Sequence, residues 1–228
     1  MATYIQIGSG SGDEDKGSSY IDGFTKFIKN KGIKDNDRIL LVEANKLNIK
    51  KLENCWKNFL NVKIYNFGIV SDSNNLKEIY LYYTEDDAPS FQVTSDNYDH
   101  VKKHYPESEI KKFSIQAKKI SEFLTEETNN DKIEYLAIDI EGMDFEVLMS
   151  MNFNKFNIQH ISFEFLHLKK NNRKKLLHKL ADNGYSFKGP GFDINGYDFM
   201  FEKKTNLYLK FKTKYFTPSI KKFIKSNK

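Results

Sequence analysis

Residues 4–12 read YIQIGSGSG. Four β-type residues, Tyr4 to Ile7, run into glycines at alternate positions, Gly8, Gly10 and Gly12. Glycine at the end of a buried strand lets the backbone turn sharply and lets a ligand approach with no Cβ in the way. The rest of the chain continues in strand-then-helix order. After a polar DEDKGSS segment, Tyr20 to Lys31 carries apolar residues at helical spacing, with Gly32 as the stop. Arg38 to Glu43 is an apolar run capped by an acid, as in a buried parallel strand. A helix is expected over 47–59, a strand over Val62–Phe67, and a hairpin or a pair of edge strands over 77–95. Helical spacing over Ile115–Thr128 leads into a buried strand at Ile133–Ile140 and a short helix at 145–151. A strand at Ile158–Leu166, a basic helix at 171–183 and two last strands at 185–188 and 197–203 complete the chain. This order predicts an α/β fold, an open and mostly parallel sheet with helices on both faces. Ligands of such sheets sit at the carboxyl ends of the strands. The tips Gly8, Glu43, Phe67, Asp139 and Glu164 should therefore meet at one cleft.

Composition fits one sizeable domain of 228 residues with an aromatic-rich core of 19 Phe and 13 Tyr. A single cysteine, Cys55, excludes an intrachain disulfide and a Cys-based metal site. It fits a reducing compartment, and a cytoplasmic location is expected. No run approaches the ~18 apolar residues of a spanning helix, and no secretory leader pattern opens the chain. No substrate-binding segment is expected ahead of the first strand. The net charge of +5 is unevenly placed, because Lys203 to Lys228 holds nine lysines and no acid. The remaining residues carry a net −4. We therefore divide the chain into a main domain, 1–202, and a basic C-terminal extension, 203–228. Lysines outnumber arginines throughout, only Arg38 and Arg173 being arginine, so the basic balance alone argues little for nucleic-acid binding.

Three segments carry candidate chemistry. The G-x-G-x-G spacing of Gly8, Ser9, Gly10 and the residues after them is that of S-adenosylmethionine (AdoMet) pockets, where dinucleotide pockets have G-x-G-x-x-G. Glu43, ending the second strand, suits a ribose diol, which donates two hydrogen bonds to a carboxylate. Asp139 and Glu141, two apart in YLAIDIEG, should point to the same side of a strand end. Carboxylates are costly to bury alone, so this pair suggests a polar ligand, a metal or a base, or else acids at a helix start. Glu164 and His167 in ISFEFLHL end another strand, and histidine is readily poised as a base near neutral pH. Tyr80, Tyr82, Tyr83, Phe91, Tyr98 and Tyr105 crowd one region, as an acceptor lid or as a small satellite core.

IQIGSGSG, LVEANKLNIKKL, YNFGIVSDSNNLKEIYLYY, KKISEFLTEETNNDKIEYLAIDIEGMDFEVLMSM and ISFEFLH together resemble the FkbM-type methyltransferase family over residues 4–202. The most specific stretch is Ile120–Leu148. The resemblance implies a class I methyltransferase, Rossmann-like, with a seven-stranded sheet. It also implies AdoMet as cofactor and O-methylation of a hydroxyl on a sugar, a glycan or a related metabolite. By it, Gly8, Gly10 and Glu43 match cofactor positions, and Asp139 and Glu141 match the family's acidic signature. Gln6 departs from it, standing where many AdoMet enzymes place an acid facing the methionine amine, and the loop after Gly12 is unusually polar.

The site expected from these readings has Gly8, Ser9, Gly10, Glu43 and Asp139 at the cofactor and Asp139, Glu164 and His167 at the reacting centre. A metal is not the favoured reading; if one is used, Asp139, Glu141, Glu164 and His167 supply its ligands. The expected partner is a small-molecule or glycan hydroxyl. The rivals are an RNA methyltransferase of the same fold, holding phosphates with Lys169–Lys175 and the tail, and a nucleotide-binding module without catalysis.

Overall fold

The computed structural model describes residues 1–12, 22–85, 93–129, 131–165, 168–192, 197–204 and 206–215. The chain runs β1 (Thr3–Ile7), α1 (Gly23–Lys31), β2 (Arg38–Val42), α2 (Lys46–Trp56), β3 (Val62–Tyr65), β4 (Gly68–Val70) and β5 (Glu78–Tyr83). It continues through α3 (Tyr98–His104), β6 (Lys111–Lys119), α4 (Ile120–Thr128), β7 (Ile133–Ile138), α5 (Asp144–Ser150) and β8 (Ile158–Glu164). It closes with α6 (Lys170–Asp182), β9 (Tyr185–Pro190), β10 (Asp198–Lys203) and α7 (Leu207–Lys214).

Seven strands form one sheet in the order β3-β2-β1-β7-β8-β10-β9. Strands β3 to β8 along that order are parallel, and β10 is antiparallel to both its neighbours. The class I Rossmann-like sheet expected from the sequence is thus present. Strand alternation sorts side chains onto two faces. Ile5, Leu40, Leu136, Ile161 and Phe201 go to one face, where α4, α5 and α6 contribute Phe123, Val147 and Leu180. Tyr4, Leu41, Tyr135, Ala137 and Met200 go to the other, covered by Phe24 and Ile28 of α1 and Leu52 and Trp56 of α2. Helix boundaries follow ordinary chemistry. Asp22 caps α1, accepting from the Thr25 amide, and Gly32 ends it with a left-handed φ of 67°.

A second sheet, β4-β6-β5, was only partly anticipated. Residues 115–119 lie in a strand, and the helix begins at Ile120. Phe113, Ile115 and Ala117 alternate toward Val70, Ile79 and Leu81, and that period-two burial overrides the helical spacing. Strand β5 pairs along its whole length with β6, and residues 93–95 touch it through the single Tyr82–Ser95 bridge. Ala44 and Met143, which follow the tips of β2 and β7, pack against this small sheet. It therefore stands over the carboxyl ends of the main strands. Phe67 does not join the cleft: its ring lies 5.6 Å from Tyr65 and 5.7 Å from Phe123 in the core.

Phe123 is fully buried between α4 and the β3 end, with Tyr65 at 5.5 Å edge-on. Phe123→Ala should lower the unfolding free energy by about 3–5 kcal/mol, measured by urea denaturation, because the rings around it cannot collapse into the space.

Candidate functional site

The chain moves outward from β1 to β3 and returns on the opposite side of β1 as β7, so the sheet's switch point lies between β1 and β7. There the two strand ends are drawn together. The Asp139 amide donates to the Ile7 carbonyl at 2.8 Å, and a Cβ on Gly8 would fall 1.6 Å from the Asp139 carbonyl oxygen. Gly8 has φ +82° and Gly10 φ +54°, both left-handed. Among the described residues, a Cβ on Gly10 would meet nothing within 4 Å. The Gly8 and Ser9 amides both donate to the Val42 carbonyl, at 2.9 and 3.1 Å, which ties the turn to the tip of β2.

Glu43 is buried directly after β2. Its carboxylate accepts from the Gly10 amide at 2.7 Å, the Asn45 amide at 2.7 Å and the Asn48 side-chain amide at 3.3 Å. Burial pushes its carboxyl above the ordinary value, and these bonds oppose the rise. Glu43 is thus the clamp that shapes the glycine turn. Gln6 is buried on the same face; its amide nitrogen donates to Asp22 at 2.8 Å, and its amide oxygen has no hydrogen-bond partner among the described residues. Asp22 was absent from the sequence reading. The helix cap brings an acid beside Gln6, the position where the acid itself is missing.

On the other side of the switch point, carboxylates line up. Ile138 pairs with Phe163, which sets Asp139 beside Glu164, and Glu164 pairs with Asp198 on β10. All three side chains belong to the face of Gln6 and Gly8. Burial holds the Asp139 carboxyl well above the carboxylate range, and the charges of Glu141, Asp144, Asp198 and Glu164 add to the rise. Asp144, buried at the first turn of α5, is pushed up to about 7, again chiefly by burial. Neither Asp144 nor Asp198 was anticipated: Asp198 lies far along the chain from Asp139, and the burial of Asp144, five residues on, appears only in the fold.

Asp139 and Glu141 do not share a strand side. β7 ends at Ile138, and Glu141 takes φ +46° in the following turn, which swings its side chain toward α3. There its carboxylate lies 2.9 Å from His100 Nε2, and its carbonyl accepts from Ser95 Oγ at 2.7 Å. His100 is therefore the histidine that the described residues place at this cleft; His167 lies outside them. Among the described residues, no group of three or more His, Cys, Asp or Glu is arranged to hold a metal ion. The tyrosine-rich region builds a small satellite core of Val93, Val101 and Tyr105 with Tyr82 against it, while Tyr80 and Tyr98 are exposed. Phe91 lies outside the described residues. Lys169 and Lys170 open α6 on its solvent side.

The bond to Glu141 raises the His100 pKa, and burial partly offsets it. A raised histidine pKa stabilises the fold below the unfolded value, and that contribution is lost as pH rises through the folded value. His100 should titrate above the usual ~6.5 by NMR, and Glu141→Gln should bring it back down. An unshifted His100 in the parent protein would contradict the ion pair.

The methyltransferase FkbM domain model matches residues 6–187. A search of curated proteins gives no significant match. Among solved structures, the chain is similar to the fibrillarin pre-rRNA processing protein of Methanococcus jannaschii, at 10% identity and a TM-score of 0.43, covering 90% of this chain and 67% of that one. It is similar to Aeropyrum pernix fibrillarin in complex with natively bound S-adenosyl-L-methionine, at 12% identity and TM-score 0.43, covering 88% and 65%. It is also similar to precorrin-6y C5,15-methyltransferase from Geobacter metallireducens, at 14% identity and TM-score 0.43, covering 90% and 80%. The chain spans about two thirds of the length of the two fibrillarins.

Proposed function

The chain belongs to the methyltransferase FkbM domain family, and we propose that it is an AdoMet-dependent O-methyltransferase whose acceptor is a hydroxyl of a sugar, a glycan or a related metabolite. The observation that carries the reading is Asp139. Its carboxyl sits at the tip of β7, beside the glycine turn, and holds its proton far more tightly than an ordinary aspartate.

The residues present fit the cofactor. Among the described residues, Gly10 leaves an open face, the Gln6 amide oxygen is a buried acceptor without a donor, and Glu43 is an acid at the end of β2. Gly8, Ser9 and Gly10 would pass close to AdoMet, Glu43 would accept from its ribose, and Gln6 would accept from its ammonium group. Bound AdoMet supplies an electrophilic methyl group. The chain must then orient an acceptor oxygen and remove its proton during attack. Orientation alone is worth several kcal/mol, out of roughly 7–11 kcal/mol available from positioning. A base is most effective when its pKa lies near the working pH, and the shift on Asp139 moves it toward that range. Glu164, next to it in register, raises the affinity of Asp139 for the proton it would take. His167 remains proposed as the alternative base. The same carboxylates speak against an RNA acceptor, since a phosphate backbone at this cleft would approach Asp139, Glu164 and Asp198 together.

Two measurements test this. Glu43→Gln should weaken AdoMet binding by about 1.5–3 kcal/mol in calorimetry, the usual range for hydrogen bonds to a charged group. Unchanged affinity would remove Glu43 from the cofactor site. Asp139→Asn should keep the fold and AdoMet binding while lowering turnover roughly 10²–10⁴-fold, and should erase the acid limb of the pH–rate profile. Normal turnover in that variant would eliminate Asp139 as the base.

A further inference from the structure

Helix α7 is amphipathic in the wrong sense for a helix docked on a protein core. Its buried position is Thr213, whose hydroxyl accepts from the Phe187 amide at 3.3 Å. Three of its large apolar side chains face solvent, Leu207 at 89% exposed, Tyr208 at 69% and Phe211 at 65%, while Leu209 is half-buried. At 3.6 residues per turn these three, with Tyr215 against Phe211 at 4.6 Å, occupy about 100° of one side. Lysines flank that arc on both edges, Lys212 on one and Lys210 and Lys214 on the other. The helix is fixed in place from behind: it packs on α6 and β9, and Lys210 and Lys214 both reach Asp182, at 2.9 and 2.7 Å.

Isolated exposed apolar side chains are ordinary, but a contiguous aromatic and aliphatic face rimmed by cations is not. Such a face matches one environment closely, the boundary between the headgroups and acyl chains of an anionic bilayer. Aromatic and leucine side chains enter that boundary while lysines remain among the headgroups. We propose that the exposed face of α7 is a docking surface for an anionic phospholipid membrane. Charge supports this occupant, because the chain from Lys203 onward carries nine lysines and no acid. A second copy docked face to face would bring two lysine rims together, Asp182 offsetting only part of each, which costs energy. A nucleic acid would satisfy the lysines and leave Leu207 and Phe211 exposed. The inference is independent of the methyltransferase reading, since α7 lies beside β9 at the far edge of the sheet from β1.

The full chain should be tested by flotation with large unilamellar vesicles, either phosphatidylcholine alone or phosphatidylcholine with about a third phosphatidylglycerol. Binding should require the anionic lipid and weaken as salt is raised, because surface attraction is screened within a Debye length. A Leu207→Ser, Phe211→Ser double variant should lose at least tenfold in apparent affinity. Lys212→Glu should lose fivefold or more, at about fivefold per surface lysine. These positions are exposed, so circular dichroism and Tm should be unchanged, which separates docking from folding. Equal binding to both vesicle types would overturn the proposal. So would anionic binding that ignores the Leu207 and Phe211 changes, which would assign attraction to the lysine-rich tail alone. Phe211-dependent self-association without vesicle binding would assign the face to a second copy. Phe211-dependent binding to a single-stranded RNA oligonucleotide, with vesicles left unbound, would assign it to nucleic acid.

Discussion

The rest of the site depends on the contact between Gly8 and Asp139. The Asp139 carbonyl occupies space that any Cβ on residue 8 would need, and the Asp139 amide closes onto Ile7. This draws the two central strand ends together at the switch point. The turn then passes over the β2 tip, where Val42 receives two amides and Glu43 a third. It also fixes where the Asp139 side chain emerges. Cofactor turn and proposed base are thus positioned by one close packing of backbones, and glycine is the residue that allows it.

The carboxylates around that contact are an electrostatic liability that the fold maintains. Burial disfavours ionisation of Asp139 and Asp144, and the charges of Glu141, Asp198 and Glu164 add to the effect on Asp139. Asp139 and Asp144 therefore bind protons more tightly in the folded chain than in the unfolded one. By linkage, the folded state gives up stability as pH rises through their shifted values. The strain has the form seen where chemistry needs a carboxyl that ionises late.

Much of this was legible in the sequence, and the limits follow from range. Tyr4–Ile7 with its glycines, Arg38–Glu43 and Ile133–Ile138 are continuous apolar runs ended by special residues, so local pattern located the sheet. Residues 115–119 misled, because Ile115 and Ile120 fit a helical period while tertiary packing used the period-two set. Glu43 was identified as an acid at a strand end. Its clamp on Gly10 needed the turn geometry. Asp198, Asp22 and His100 were invisible for one reason. Each gains meaning from a neighbour far along the chain, and single-sequence spacing carries no record of such pairs.

The small sheet and α3 turn the strand ends into a cleft. Asn45 reaches Thr94 at 3.0 Å, Ser95 holds the Glu141 carbonyl, and His100 pairs with the Glu141 carboxylate. Glu141 keeps a left-handed φ that costs a non-glycine residue on the order of 1–3 kcal/mol, and these contacts over-determine it. The strain has a positional effect: a left-handed residue after β7 turns the second acid of the signature away from Asp139. One carboxylate is committed to an ion pair with the inserted segment, and the other remains at the switch point. Two acids that stand two apart in the sequence are thereby given separate surroundings, Asp139 among the carboxylates of the strand ends and Glu141 against His100 of α3.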